Sequence, residues 1–74
     1  MKILVFESTR AVIKAEKLIR AAEIECRIIP VPRTVSPLCG MAVELDEGSL
    51  QKAAVLLEEK NIKTDVFDRG EVSL

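Results

Sequence analysis

The sequence of 74 residues contains no histidine, tryptophan or tyrosine and only two phenylalanines. Without histidine, no Cys–His or Ser–His nucleophile pair can form within the chain. Two aromatic rings do not provide the stacking surface that binds single-stranded nucleic acid, and a net charge of −1 does not predict a strongly basic face. No apolar run approaches the roughly 20 residues that span a bilayer, and the N-terminal run is too short for a signal peptide. We therefore expect a cytoplasmic protein with no nucleic-acid or membrane partner.

The chain has two cysteines, Cys26 and Cys39, with twelve residues between them. This spacing fits neither a Cys-x-x-Cys redox pair nor the usual zinc-ligand pair, and two thiols without histidine are too few for a structural zinc site. In a hairpin, Cys26 would lie opposite Leu45, ~20 Å from Cys39 at ~3.3 Å per residue, which is beyond disulfide reach. We expect no metal, no cofactor and no disulfide.

Hydrophobic periodicity predicts four strands and two helices. Residues 2–7, 24–31, 41–45 and 63–68 have the composition of strands. Apolar residues recur every three or four positions from residue 11 to residue 22, which predicts an amphipathic helix with a hydroxyl N-cap at Ser8 or Thr9. A second helix is predicted from an N-cap at Ser49 to about residue 60, with Asn61 in the left-handed conformation that often ends helices.

The resulting order, β-α-β-β-α-β, predicts an α+β fold of ferredoxin-like topology. Right-handed crossovers then place the strands in the order 4-1-3-2, as a four-stranded antiparallel sheet with two helices on one face. Pro30 and Pro32 favour an edge position for the second strand, because proline cannot donate a ladder hydrogen bond. We expect a single domain over residues 1–74, with a short polar tail from about residue 69.

The first strand is apolar on both faces of this sheet. Ile3 and Val5 lie on one face, and Leu4 and Phe6 lie on the other. Because the helices cover one face only, the open face is expected to expose apolar side chains, which is typical of an association surface. This pattern predicts a homodimer through the open sheet face. The alternative is that a small domain tolerates a few exposed apolar residues.

The segment best equipped for chemistry is the loop between the second and third strands. It ends in Cys39 and Gly40, and three prolines stiffen it, namely Pro30, Pro32 and Pro37. Cys39 is the candidate acceptor thiol, and Gly40 allows close backbone approach and an amide nest for an anionic sulfur species. Arg33 and Ser36 are candidate binding residues that would stabilise the anion. The alternatives are that Cys39 is a buried packing residue and Arg33 a solvated loop charge.

The topology argument places this loop at the end of the sheet where both helices terminate. Helix C-termini are partially negative, so they would oppose formation of a thiolate on Cys39. We expect Lys2, Arg33 and Lys63 to lie near this end and to offset that effect. The N-terminus of the first helix, with Ser8, is expected at the opposite end of the sheet. Cys26 is expected in the core, on the same strand face as Ile28.

Several segments of the chain resemble a family of small bacterial proteins, described as selenium/sulfur carrier-like and formerly labelled a domain of unknown function. These segments are Ser8-Thr9, Ala15-Glu16-Lys17-Leu18, Ile29-Pro30-Val31-Pro32-Arg33, Ser36 and Cys39-Gly40. The resemblance spans about residues 3–43, and Pro-x-Pro-Arg…Ser-x-x-Cys-Gly is its most specific part. The sequence departs from the family pattern at Arg10, where many relatives have histidine, and at Glu23, where a helix-ending glycine is common.

The resemblance implies that Cys39 holds sulfur or selenium as a persulfide-type adduct, which it passes from a donor protein to an acceptor protein. The protein would then be a carrier rather than an enzyme. The alternative is a non-covalent dimeric binding or regulatory module that recognises a small anion or a partner protein at the Pro-Arg loop.

Overall fold

The computed structural model describes residues 1–71 and has the predicted element order. The strands are β1 (Lys2–Val5), β2 (Cys26–Pro30), β3 (Met41–Leu45) and β4 (Asp65–Asp68), and the helices are α1 (Thr9–Ala21) and α2 (Leu50–Glu59). They form one sheet in the order β2-β3-β1-β4 with antiparallel neighbours throughout. The ferredoxin-like α+β topology, the strand order and the edge position of β2 are therefore confirmed. Within residues 1–71, no helix combines the length and the apolar character needed to cross a membrane.

Helix α1 begins and ends at residues whose side chains or backbone favour those positions. The hydroxyl of Ser8 accepts the N–H of Ala11 at 3.1 Å, which satisfies one of the free amides of the first turn. Val12, Ala15 and Ile19 form its fully buried stripe. The helix ends where Glu23 takes a left-handed φ of 61°, a conformation that glycine adopts more easily. The chain can then turn into β2.

The start of α2 differs from the prediction. The side chain of Ser49 makes no capping hydrogen bond. A 3-10 turn, Glu47–Ser49, precedes the helix, and Asp46 caps this turn through its Oδ2, which accepts the N–H of Gly48 at 3.0 Å. Asn61 has a φ of 56° after the helix, which confirms its predicted conformation.

The corrected cap yields the first testable prediction. Replacing Asp46 with alanine should lower the free energy of unfolding by about 1 kcal/mol, because it removes the only side-chain partner of the Gly48 amide. The matched control, Ser49→Ala, should change it by less than ~0.5 kcal/mol. Urea unfolding midpoints measure both values, and a larger loss for Ser49→Ala would show that the hydroxyl is the cap.

The core has two parts, one on each face of the sheet. On the helix side, a large cluster contains Leu4, Phe6, Ile19, Val43 and Leu57. On the other side, a second cluster is formed by buried residues of β1, β3 and the loop, namely Ile3, Val5, Val31 and Ala42, with Ile29, Val35 and Phe67 packed against it. The sequence pattern correctly predicts which apolar residues of β1 lie on each face of the sheet. The expectation that the second face is exposed is wrong, because a single chain already covers it.

A buried carboxylate completes the cover of the second face. The side chain of Glu44 is only 3% exposed, and its two oxygens each accept from one arginine. Arg27 Nε lies 2.8 Å from Oε1, and Arg69 Nε lies 3.1 Å from Oε2. The register places Glu44 directly between Ile3 and Arg27, so this ion-pair group lies beside Ile3, which has no exposed surface. Arg69, at the start of the predicted polar tail, is thus tied to the sheet. Residues 72–74 of that tail lie outside the described residues.

Candidate functional site

The loop between β2 and β3 lies at the end of the sheet where α1 begins. Both β1 and β2 are antiparallel to β3, so they run in the same direction. The loop that follows β2 therefore meets the end of β1 and the start of α1. The prediction that the N-terminus of α1 lies at the opposite end is wrong, because a β-α-β unit returns the chain to its original direction.

Of the cations predicted to lie near the loop, the structure places some there and another at the opposite end of the sheet. Lys63 does lie at this end, where it lines a cavity together with Ser36 and Leu38. Lys2 lies at the other end, where its ammonium group contacts Asp68 and is 3.4 Å from Glu47. Lys2 therefore cannot offset charge near the loop.

The Cys39 thiol faces the first residue of α1. Its Sγ lies 3.6 Å from the Oγ1 of Thr9, a distance at which either group can donate a hydrogen bond. Cys39 is only 8% exposed and belongs to the core cluster on the helix side. The sequence leaves the exposure of Cys39 open, and the structure places this residue in the core. Sequence reasoning missed Thr9, although the strand directions were sufficient to place it beside the loop.

Two successive turns shape the loop. The carbonyl of Pro32 accepts the N–H groups of Val35 and Ser36 at 2.9 and 3.0 Å. The carbonyl of Ser36 then accepts the N–H groups of Cys39 and Gly40 at 3.4 and 3.0 Å. Both amides beside the sulfur are consequently in use within the loop. The predicted amide nest at Gly40 is not open in this conformation.

Gly40 and Arg33 close the loop together. Gly40 has a φ of 74°, and a Cβ at this position would lie 3.2 Å from Nε of Arg33. Arg33 also donates from Nη1 to the carbonyl of Pro37 at 3.3 Å. The guanidinium therefore lies across the glycine and holds the two halves of the loop together. The close approach predicted for Gly40 is present, but the group that approaches is Arg33.

Ser36 lies inside the loop rather than on its surface. The residue is 1% exposed, and its hydroxyl has no hydrogen-bond partner among the described residues. It lines a cavity of about 250 Å³ that Phe6, Leu38 and Lys63 also border. The Ser36 hydroxyl is therefore enclosed by the loop and borders this cavity.

Cys26 lies in the core, as predicted. It pairs with Leu45 in the register predicted for the hairpin, and both cysteines are free thiols. Burial raises the pKa of the Cys26 thiol above 9.0, and the positive charge of Arg20 opposes that shift. Cys26 is therefore protonated and enclosed under ordinary conditions.

The raised pKa predicts a pH dependence of stability. The folded state keeps the Cys26 proton to a higher pH than the unfolded state, so unfolding releases a proton above about pH 9. The contribution of this group is complete below that pH and is lost as the pH rises through the pKa of the folded state. Urea unfolding at pH 8 and pH 10 should show a smaller loss of stability for Cys26→Ala than for the unmodified chain. Equal losses of stability in the two chains would show that groups other than Cys26 cause the pH dependence.

The family described as "putative Se/S carrier protein-like" matches residues 2–67. The chain therefore belongs to this family. The matched segment contains Thr9, the complete loop and Cys39. No curated protein and no solved structure matches the chain.

Proposed function

We propose that this protein carries sulfur or selenium as a persulfide-type adduct on Cys39 and hands it to a partner protein. Family membership supports a carrier in general terms. The observation that carries the assignment to Cys39 is the position of its Sγ, 3.6 Å from a hydroxyl on the first residue of α1. Within residues 1–71, no hydroxyl is hydrogen-bonded to the Cys26 thiol, and burial raises its pKa.

The Cys39 sulfur lies beside the first residue of α1. A helix of 13 residues carries a partial positive charge at its N-terminus, and reactive cysteines often lie at such positions. In this proposal the Thr9 hydroxyl donates a hydrogen bond to the thiolate of Cys39. Arg33 and Ser36, predicted as anion stabilisers, reach an adduct only when the loop opens, because Arg33 is bound to Pro37 in the closed form.

The transfer steps balance without an added oxidant or reductant. The Cys39 thiolate attacks the terminal chalcogen of a donor R–S–SH or R–S–SeH. One S–S or S–Se bond forms to Cys39 as the donor bond breaks, and the donor leaves as the thiolate R–S⁻. A recipient thiolate then attacks the same terminal atom, and Cys39 leaves as a thiolate. No proton donor is required in either step, which agrees with a chain that has no histidine.

Burial of Cys39 makes opening of the loop part of the proposed mechanism. An 8% exposed residue leaves a donor little access to the sulfur. The loop is suited to movement, since Leu38 is 67% exposed and the turns around Ser36 rest on a few backbone hydrogen bonds. The rate of loading should therefore reach a plateau as the donor concentration increases.

Intact-mass spectrometry with glutathione persulfide and glutathione selenopersulfide as donors tests the proposal. The chain should gain one sulfur or one selenium atom, and dithiothreitol should remove it. Cys39→Ser should abolish the gain, whereas the matched variant Cys26→Ser should retain it. Loading that depends on Cys26, or no loading at all, would leave only the non-covalent binding module at the Pro-Arg loop.

Replacement of Thr9 tests the proposed hydrogen bond. Thr9→Val preserves the shape of the side chain but removes the hydroxyl, so loading of Cys39 should slow by about tenfold for the loss of one hydrogen bond to a charged group. Thr9→Ser should restore most of the rate. A packing defect would instead leave Thr9→Ser as slow as Thr9→Val or slower, because serine lacks the methyl group of threonine.

The homodimer through the open sheet face and the cytoplasmic location stay predictions. The apolar side chains on which the dimer was predicted, Ile3 and Val5, are already buried within one chain. Light scattering after size exclusion measures the solution mass. A monomeric mass for the unmodified chain would remove the dimer.

A further inference from the structure

A cleft lined by cations lies between the start of α1 and the end of α2. It has a volume of about 400 Å³, and four positively charged side chains line it, namely Arg10, Lys14, Lys60 and Lys63. We refer to these four residues as the basic cleft. Glu7 is the only acidic residue on its lining. The cleft therefore has a local charge of about +3, although the whole chain has a net charge of −1.

The cations of the basic cleft are available to a partner. Within residues 1–71, none of the four makes an ion pair or a side-chain hydrogen bond, whereas the ion-paired cations lie elsewhere, namely Lys2, Arg20, Arg27 and Arg69. All four cleft side chains are exposed. The C-terminal carbonyls of α2 face the same region and offset part of the charge, but a helix dipole is worth about half an elementary charge.

The basic cleft and the Cys39 thiol lie at the same end of α1. Ser8 and Arg10 both line the cleft, and the residue between them, Thr9, lies 3.6 Å from Cys39 Sγ through its hydroxyl. Thr9 and Cys39 do not line the cleft themselves, so a group that binds there lies at the same end of α1 as the sulfur rather than against it. At the opposite end of the sheet, by contrast, the cation Lys2 is paired with Glu47 and Asp68.

We propose that the basic cleft docks an acidic surface of the protein that exchanges sulfur or selenium with Cys39. The inference rests on the proposed function and names the chemistry of its partner. A protein surface fits better than a small anion, because strong sites for small anions use buried, converging donors. Exposed cations of one sign instead steer a macromolecule of opposite charge and increase its rate of association.

A peptide of six glutamates, used with the Cys39→Ser protein, tests this inference independently of loading. Binding is measured by fluorescence anisotropy at low ionic strength and again at about 0.15 M salt, where the Debye length shortens to ~8 Å. The amide NMR signals of Arg10, Lys14, Lys60 and Lys63 should shift on binding. Affinity should fall by about tenfold or more at the higher salt concentration.

Two matched charge reversals identify the surface. Lys60→Glu/Lys63→Glu should weaken peptide binding by about tenfold. Lys17→Glu/Lys52→Glu makes the same change in net charge at exposed lysines on the two helices that do not line the cleft, and it should weaken binding by less than threefold. Arg10→Gln/Lys14→Gln provides a second cleft variant if the first fails to fold. Equal losses in the two reversals, or tighter binding of inorganic pyrophosphate than of the peptide, would overturn the inference.

The two proposals can fail separately. Peptide binding to the cleft in a chain that never loads sulfur would retain the docking surface and remove the carrier. Normal loading of the unmodified chain, with no peptide binding at the cleft, would retain the carrier and remove the docking surface.

Discussion

Replacing Arg27 and Arg69 together with methionine is expected to lower the free energy of unfolding by about 3–5 kcal/mol. Each arginine donates to one oxygen of Glu44, whose side chain is 3% exposed. Methionine maintains the apolar cover of the sheet but removes both positive charges. The carboxylate is then left buried without a counter-charge, which is among the more costly arrangements in a protein interior.

Three further variants test this explanation. Each single replacement should cost much less than the pair, because the remaining arginine still neutralises the carboxylate. Adding Glu44→Leu to the double variant should restore most of the stability, since the unpaired charge is then gone. Urea unfolding of the four chains provides the measurement. A double variant that loses less than ~1 kcal/mol would show that Glu44 is solvated and that the ion pairs contribute little.

Replacing Gly40 with valine is expected to lower the free energy of unfolding by about 2 kcal/mol or more. A φ of 74° costs roughly 1–2 kcal/mol for a residue with a Cβ. The new Cβ also lies 3.2 Å from Nε of Arg33, so the guanidinium has to move away from the loop. The same displacement should alter the loading rate of Cys39, because Arg33 holds the loop closed.

Gly70 provides a matched control for this prediction. A Cβ at Gly70 meets no atom within 4 Å, and its φ lies outside the left-handed region. Gly70→Val should therefore change stability by less than ~0.5 kcal/mol. Adding Arg33→Ala to Gly40→Val should restore the stability that is lost through the contact with the guanidinium. It should not restore the stability that is lost through the unfavourable φ. Equal effects of valine at the two glycines would contradict the strain at Gly40.

The fold could be predicted from the sequence because its main signals are local. Alternation and helical periodicity locate the elements, the Ser8 hydroxyl marks the start of α1, and Pro30 places β2 at an edge. Three of the four strands are shorter than predicted, because composition does not show where ladder pairing ends. The cap at Asp46 escaped prediction because Ser49 has an equally suitable side chain, and only the 3-10 turn decides between them.

The candidate site was harder to predict because it depends on contacts between distant parts of the chain. The loop, Gly40 and Cys39 could be selected from residue types alone. The contact between Thr9 and Cys39 joins residues thirty positions apart, and it could have been inferred only from a correct account of strand direction. The burial of Ile3 and Cys39 depends on how the loop and Arg69 pack over the sheet. No local sequence pattern predicts this packing.

Burial of Cys39 has a consequence for the lifetime of the thiol. A low-molecular-weight oxidant such as hydrogen peroxide reacts with accessible thiolates and converts them stepwise to sulfenic, sulfinic and sulfonic acids, of which the last is irreversible. Cys39, a residue that is only 8% exposed beneath the proline-rich loop, is shielded from that damage. Under the proposed function, the same loop that slows entry of a donor would preserve the thiol in a usable oxidation state.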